Sequence, residues 1–417
     1  MPKETRPDQA PRVASALDQQ LREGIARVRQ ADLLVGIPSF RNAATIGHVA
    51  ATAARGLREH FPDAKVVLVN ADGGSEDGTP DRVRESATGI PVITGRYVGP
   101  PGKGSAFRAI FEAALALNVR ACAVVDSDLR SITPEWIARL LGPVARGEAD
   151  YVAPLYARHK HDGTITNNVA YPLTRALYGL RIRQPIGGEF GFHVDLARAY
   201  LAQDVWGGDV ARFGIDIFMT TTAIARHARI VQAFLGAKVH DPKDPSADLG
   251  PMFIQVVGTL FRLAHEHEAI WREAGGSRDV PVVGRIEPVE PEAIPADPAR
   301  LRAKYEASAP AQRALWDEVL SSPIRQAMGA DAWARIVFDF LEATLRQPER
   351  AGDLALGLLP LYYLRVADFI EEARDMTTAQ SEDLVEAGAL AMEKEADERR
   401  RGGEAQAAEQ AQASAKK

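Results

Sequence analysis

Between Asp32 and Asp128 the chain repeats one unit: a short apolar run, a polar or glycine-rich loop, then apolar residues at helical spacing. Asp32-Leu-Leu-Val-Gly-Ile37 leads through Pro38-Ser-Phe-Arg-Asn42 to a stripe at Ile46, Val49, Ala53, Leu57 and Phe61. Lys65–Val69, Pro91–Thr94 and Cys122–Val125 open the later units. Such strict alternation leaves few topologies, because parallel strands need crossover helices and those crossovers are right-handed. The expected fold is therefore α/β, a doubly wound, mostly parallel sheet. In open sheets of this kind ligands sit beyond the C-terminal ends of the strands, so the loops there are where chemistry is expected.

The strand Cys122-Ala-Val-Val ends in Asp126-Ser-Asp128, two acids one residue apart with Arg130 as the nearby base. Oxygen ligands of this kind suit Mg²⁺ or Mn²⁺ completed by substrate phosphates; the plain alternative is that they cap the helix opening at Thr133-Pro134-Glu135. Asp72, in Asn70-Ala-Asp-Gly-Gly-Ser75, is placed to accept hydrogen bonds from a nucleobase or ribose. Pro101-Gly-Lys103-Gly104 sets a lysine at a helix N-terminus, a natural anion site for which diphosphate is the candidate. Neither Gly-x-Gly-x-x-Gly nor a P-loop motif is present, which disfavours dinucleotide dehydrogenases and P-loop kinases. After the strand Tyr151–Leu155 comes Arg158-His-Lys160-His-Asp162-Gly-Thr-Ile-Thr166, suited to a small anionic acceptor or simply to solvent. Gln184-Pro-Ile-Gly-Gly-Glu189, Gly214-Ile-Asp216 and Lys238-Val-His240 add two acids and a histidine.

At 417 residues the chain is too long for one ordinary core. We expect an N-terminal helix within residues 1–28, a catalytic domain over 29–274 and a proline-rich linker or strap over 275–299. An all-helical extension over 300–395 and a disordered tail over 396–417 follow. The net charge of -6 argues against a nucleic-acid binder. A single cysteine, Cys122, points to a reducing compartment. No stretch approaches a signal peptide's apolar core or a membrane span, so the expected location is cytoplasmic.

Taken in order, these loops resemble nucleotide-sugar-dependent glycosyltransferases of the GT-A fold. In particular they resemble the retaining group that contains mannosylglycerate synthase, glucosylglycerate synthase and glucosyl-3-phosphoglycerate synthase. The resemblance covers about residues 30–270 and rests on Pro101–Gly104, Asp126-Ser-Asp128, Gln184–Glu189, Gly214–Asp216 and Lys238–His240. It implies that Pro38, Phe40, Asn42 and Asp72 cradle the nucleoside, that Lys103 meets the diphosphate, and that Asp126 contacts ribose or the metal's waters. Asp128 and His240 would hold Mg²⁺ or Mn²⁺. Glu189 and Asp216 would hold the sugar near the reacting carbon, and either is the candidate nucleophile if the reaction is a double displacement. Arg158, Asp162 and Thr166 have the spacing of the group's acceptor residues. After His240, however, the chain reads Asp241-Pro242-Lys243, where relatives commonly carry Arg and then Asn or Tyr.

The expected reaction is transfer of glucose or mannose from a GDP-, UDP- or ADP-sugar to D-glycerate, giving a glucosylglycerate-type compatible solute. The alternative acceptor is 3-phosphoglycerate, for which His159, Lys160 and His161 would supply added positive charge. A sugar nucleotidyltransferase and a non-catalytic nucleotide-sugar sensor are the rivals. Apolar residues on the C-terminal helices would suit a homodimer. The sequence does not choose the base, the sugar or the acceptor.

Overall fold

The computed structural model describes residues 15–239, 249–287, 289, 291–321 and 329–415, without the side chains of Ala330 and residues 403–415. The strands are β1 (Leu33–Ser39), β2 (Val66–Asp72), β3 (Val92–Arg96), β4 (Ala121–Val124), β5 (Tyr151–Ala157), β6 (Leu180–Arg181), β7 (Phe190–His193), β8 (Ile230–Ala237), β9 (Arg278–Asp279) and β10 (Val282–Val283). Eight of them form one sheet in the order β10-β8-β5-β7-β4-β1-β2-β3, while β6 and β9 pair separately. All neighbours in the large sheet are parallel except β7, which runs antiparallel between β4 and β5. The doubly wound expectation therefore holds. Because β4 and β5 both oppose β7, they point the same way as β1, and the C-terminal ends of β1, β2, β4, β5 and β8 open on one edge.

Every residue of β1 is buried, as a strand covered on both faces requires. On one face Leu33, Val35 and Ile37 meet the helices Ile46–His60 and Pro134–Ala145 through Val49, Ala53, Trp136 and Leu140. On the other, Leu34, Cys122 and Val124 meet Phe107, Ile110 and Phe111 of the helix Lys103–Ala116. The glycine-rich motif Gln184–Glu189 runs directly into β7, a strand that the sequence pattern does not announce. Gly191 makes its insertion possible, since a Cβ there would lie 2.0 Å from the Leu140 carbonyl oxygen.

The helices Pro298–Val319, Ala330–Arg346 and Ala351–Glu372 join the same apolar core. Tyr362 stacks on Phe253 of the helix Leu249–Glu266 at 4.3 Å between ring centroids. The proline-rich segment behaves as a strap: β10 joins the sheet edge, and Glu292 pairs with Arg130 at 2.9 Å. The stretch after residue 395, expected to be disordered, instead continues the helix Thr378–Ala415. Its anchoring comes from side chains that a search for apolar stripes passes over. Ala396 is fully buried, Arg399 pairs with Asp339 at 2.7 Å, and Arg400 donates to the carbonyls of Ala176 and Trp271 at 2.6 and 3.1 Å. No helix among the described residues is long and apolar enough to cross a membrane.

Candidate active site

A cleft of about 680 Å³ opens at the C-terminal edge of the sheet. One wall of it begins where β1 ends. Pro38, Phe40 and Asn42 all line it, and Phe40 is 54 % exposed with the Arg41 guanidinium 5.0 Å from its ring centre. Asn42 also ties this loop to the acidic one, its Oδ1 accepting from Ser127 Oγ at 2.9 Å while Thr45 Oγ1 donates to the Ser127 carbonyl at 2.9 Å. Ser127 is thereby fixed, and with it the directions of Asp126 and Asp128 on either side.

Asp72 departs from its expected role. Its Oδ1 accepts from the backbone N–H groups of Gly74 and Ser75 at 2.8 and 2.6 Å, and its Oδ2 from Ser39 Oγ and Ser75 Oγ at 2.7 and 2.8 Å. Four bonds use the lone pairs of a carboxylate, so this residue, 2 % exposed, shapes the loop and leaves Gly73 to line the cleft.

Lys103 is the first residue of its helix, and the tight turn before it needs glycine, since Gly102 has φ +157°. Its ammonium lies 2.8 Å from Asp126 Oδ1 and 3.2 Å from Asp216 Oδ2. Burial alone would lower its pKa, but Asp126 and Asp216 outweigh that and hold it above the ordinary lysine range. Asp216 is itself pushed up by burial, against the pull of Lys103. Its Oδ1 is sealed from water with no hydrogen-bond partner among the described residues. Such an orphan costs about 1–3 kcal/mol unless a ligand fills it.

Lys238 was part of a quoted motif but had no expected role. It lines the cleft with its ammonium 2.8 Å from the Gly187 carbonyl, 2.8 and 3.0 Å from the two Glu189 oxygens, and 3.5 Å from Asp126 Oδ2. The signal that could have found it was its place in the quoted Lys238-Val-His240 motif. Glu189 is fully buried behind it, accepts from Tyr156 OH, and does not line the cleft. Glu189, expected at the sugar, thus lies behind the cleft surface, and the lysine it holds lies on that surface. Burial raises the Glu189 carboxyl to about 7, with Lys238 opposing that rise and Asp126 adding to it.

On the far wall Arg158, Asp162 and Thr166 do converge on the cleft. Arg158 Nη1 is 3.3 Å from Asp162 Oδ2, its guanidinium lies over the Tyr156 ring at 5.5 Å, and its Nε is buried with no hydrogen-bond partner among the described residues.

His240 lies outside the described residues, so its pairing with Asp128 stays an expectation. Val239 is described, and it brings the chain beside the acidic loop: its N–H donates to Ser131 Oγ, and its carbonyl accepts from Arg130 N–H, both at 2.9 Å. Among the described residues no group of three or more His, Cys, Asp or Glu side chains is arranged to hold a metal. Asp126 is bound up with two lysines, and Asp128 lines the same cleft as a further carboxylate. Few protein ligands plus substrate phosphates is how Mg²⁺ and Mn²⁺ are usually held, so the donor set fits such an ion.

No protein-family model matches the chain. A curated relative does: glucosyl-3-phosphoglycerate synthase of Mycolicibacterium smegmatis is 27 % identical over 251 residues, 54 % of this chain and 76 % of the relative. This chain is similar to that synthase. The resemblance to the group containing glucosyl-3-phosphoglycerate synthase, drawn above from the loop motifs, agrees with that similarity. Solved structures of glucosyl-3-phosphoglycerate synthase from Mycobacterium tuberculosis also match. One with Mg²⁺ and UDP is 25 % identical, covers 60 % of this chain and 85 % of its own, and has a TM-score of 0.46. Another, with Mn²⁺, UDP and glucosyl-3-phosphoglycerate, is 26 % identical, covers 63 % and 86 %, and has the same TM-score of 0.46.

Proposed function

We propose that the chain transfers glucose from UDP-glucose to 3-phosphoglycerate with retention at the anomeric carbon. The observation that carries the transfer chemistry is Lys103, seated at a helix N-terminus between Asp126 and Asp216, with Asp128 on the same cleft wall. The curated relative supports 3-phosphoglycerate over D-glycerate, the first expectation, and glucose over mannose.

In this reading the base lies against Phe40 and Gly73, and the diphosphate meets the helix N-terminus. Lys103 gives two of its three N–H groups to Asp126 and Asp216 and the third to a phosphate oxygen. Its charge, already drawn out of water, favours the dianion that leaves. A divalent cation on Asp128, when bound, supplies further positive charge to that leaving group. Arg158 grips the acceptor carboxylate, and Thr166 orients the hydroxyl that attacks. That hydroxyl adds to the face the diphosphate leaves: the C–O bond to the acceptor forms, the C–O bond to phosphate breaks, and the proton passes to a phosphate oxygen. Asp216 Oδ1 accepts a sugar hydroxyl. Were the reaction a double displacement instead, Asp216 is the carboxylate that remains for it, because Glu189 is walled off by Lys238.

A matrix of UDP-, GDP- and ADP-glucose and GDP-mannose against 3-phosphoglycerate and D-glycerate, with Mg²⁺ or Mn²⁺, tests the reading by nucleoside diphosphate release. UDP release that depends on 3-phosphoglycerate is expected. Pyrophosphate formation from a nucleoside triphosphate and a sugar 1-phosphate would favour the nucleotidyltransferase instead.

A further inference from the structure

The acceptor wall is held from far along the chain. Lys160, which the sequence offers as a phosphate-binding cation, does not serve one: its ammonium donates to the carbonyls of Ala373, Arg374 and Met376 at 2.7, 2.8 and 2.7 Å. Three N–H groups thus meet three carbonyls at the C-terminal end of the helix Ala351–Glu372, where peptide oxygens lack helical partners and the helix dipole is negative. Nor is this the sole tie. Thr164 Oγ1 bonds Tyr362 OH at 2.7 Å, and Trp333 Nε1 donates to the Asn168 carbonyl at 2.7 Å. Arg183 bridges Asn167 Oδ1 at 2.8 Å and both Glu382 oxygens at 2.9 Å. Residues 160, 164 and 168 directly, and Asn167 through Arg183, are therefore anchored to the chain beyond residue 330, while Arg158, Asp162 and Thr166, interleaved with them, line the cleft together with Thr164.

We infer that the C-terminal helices are a working part of the acceptor site and that Lys160 is the positioning residue through which the end of the helix Ala351–Glu372 sets Arg158 and Asp162. The inference rests on the acceptor assignment of the 158–166 segment. Lys160 touches no substrate. It fixes the backbone two residues from Arg158 and two from Asp162, the spacing at which a shift of one peptide re-aims both side chains and opens their 3.3 Å pair. A charged donor on three carbonyls is also a stronger tether than a neutral hydrogen bond.

The test is a kinetic split on the full-length chain. Lys160→Met should raise the KM for 3-phosphoglycerate about tenfold, with the KM for UDP-glucose and the affinity for UDP with Mn²⁺ by calorimetry changed less than about twofold. Tyr362→Phe, which deletes one hydroxyl and keeps the packing, should raise the acceptor KM by about three- to fivefold and decides the matter if Lys160→Met does not fold. An unchanged acceptor KM in the folded variants overturns the inference. So does an equal rise in both KM values with a lowered Tm, the mark of a merely structural lysine. Arg158→Ala measured alongside separates the two levels. If it raises the acceptor KM and Lys160→Met does not, only the positioning role falls; if neither does, the acceptor assignment itself falls.

Discussion

The two walls of the cleft are built in different ways. The wall proposed for the nucleotide is built on strand ends: Pro38, Phe40, Asn42, Lys103, Asp126 and Asp128 hang from the ends of β1 and β4 and from the helix that precedes β4, tied to one another and, through Lys103 and Asp126, to Asp216 and Lys238. The wall proposed for the acceptor is remote, a loop after β5 that runs into the short helical turn Thr166–Ala170, pinned by side chains and carbonyls 165 to 216 residues further on, as Trp333 and Met376 show. A wall made from strand ends inherits its geometry from the sheet. A wall made from a loop and one short helical turn leans on its anchors, so it is the part that mutation can re-aim without disturbing the nucleotide.

The contrast predicts unequal failures. Asp128→Ala should be the most damaging, lowering kcat by about a thousandfold or more and abolishing the metal dependence of UDP binding by calorimetry, because a charged leaving group loses its counter-ion. Turnover near normal in that variant would break the nucleotide-wall assignment. Lys103→Met should follow, with kcat down about a hundredfold, since one oriented donor to developing charge is worth that much. It should also leave Asp126 and Asp216 facing each other without their shared cation, which a raised activity optimum in a pH series would report. Arg158→Ala should cost less and elsewhere: the acceptor KM rises about ten- to thirtyfold while the UDP-glucose KM holds, the sign of lost ground-state binding on one wall alone.

Legibility in the sequence followed the same divide. The alternation from Asp32 to Asp128 is short-range, and it located the parallel sheet, the lysine at a helix start and the acid pair. What it could not supply was the occupancy of each side chain. Asp72 reads as a ligand for a nucleobase because it is an acid at a strand end, and only the fold reveals that Ser39 and Ser75 have already filled it. Glu189 is set at the sugar by the resemblance, until Lys238 is seen in front of it. Phe190–His193 was missed because a four-residue strand carrying glycine has hardly any period to detect. Helix Thr378–Ala415 was cut short because Ala396, Arg399 and Arg400 bury themselves through a methyl group and arginine stems.

The pair Glu189–Lys238 sits where the two walls meet, and it yields the smallest effect and the one with a sign to work out. The carboxyl is raised to about 7, burial being the main cause and Lys238 the opposing one. Below that pH it holds a proton, and Lys238 stands beside a neutral acid; above it the ion pair with Glu189 is complete. If the oriented ammonium serves the departing diphosphate, kcat should climb by about three- to fivefold as pH rises through 7. Glu189→Gln, fixed in the neutral form, should show a flat profile at the low-pH rate. Stability runs the other way. Between the ordinary carboxyl range near 4.5 and about 7, the native state binds the proton and the unfolded chain does not. Unfolding free energy therefore falls with rising pH across that window, by at most about 1.4 kcal/mol per pH unit. Denaturant midpoints at pH 5 and pH 7.5 for the parent and Glu189→Gln measure it. A decline in the parent that the amide variant lacks ties the slope to this carboxyl, and equal slopes would mean that Lys238 faces an ionised partner throughout.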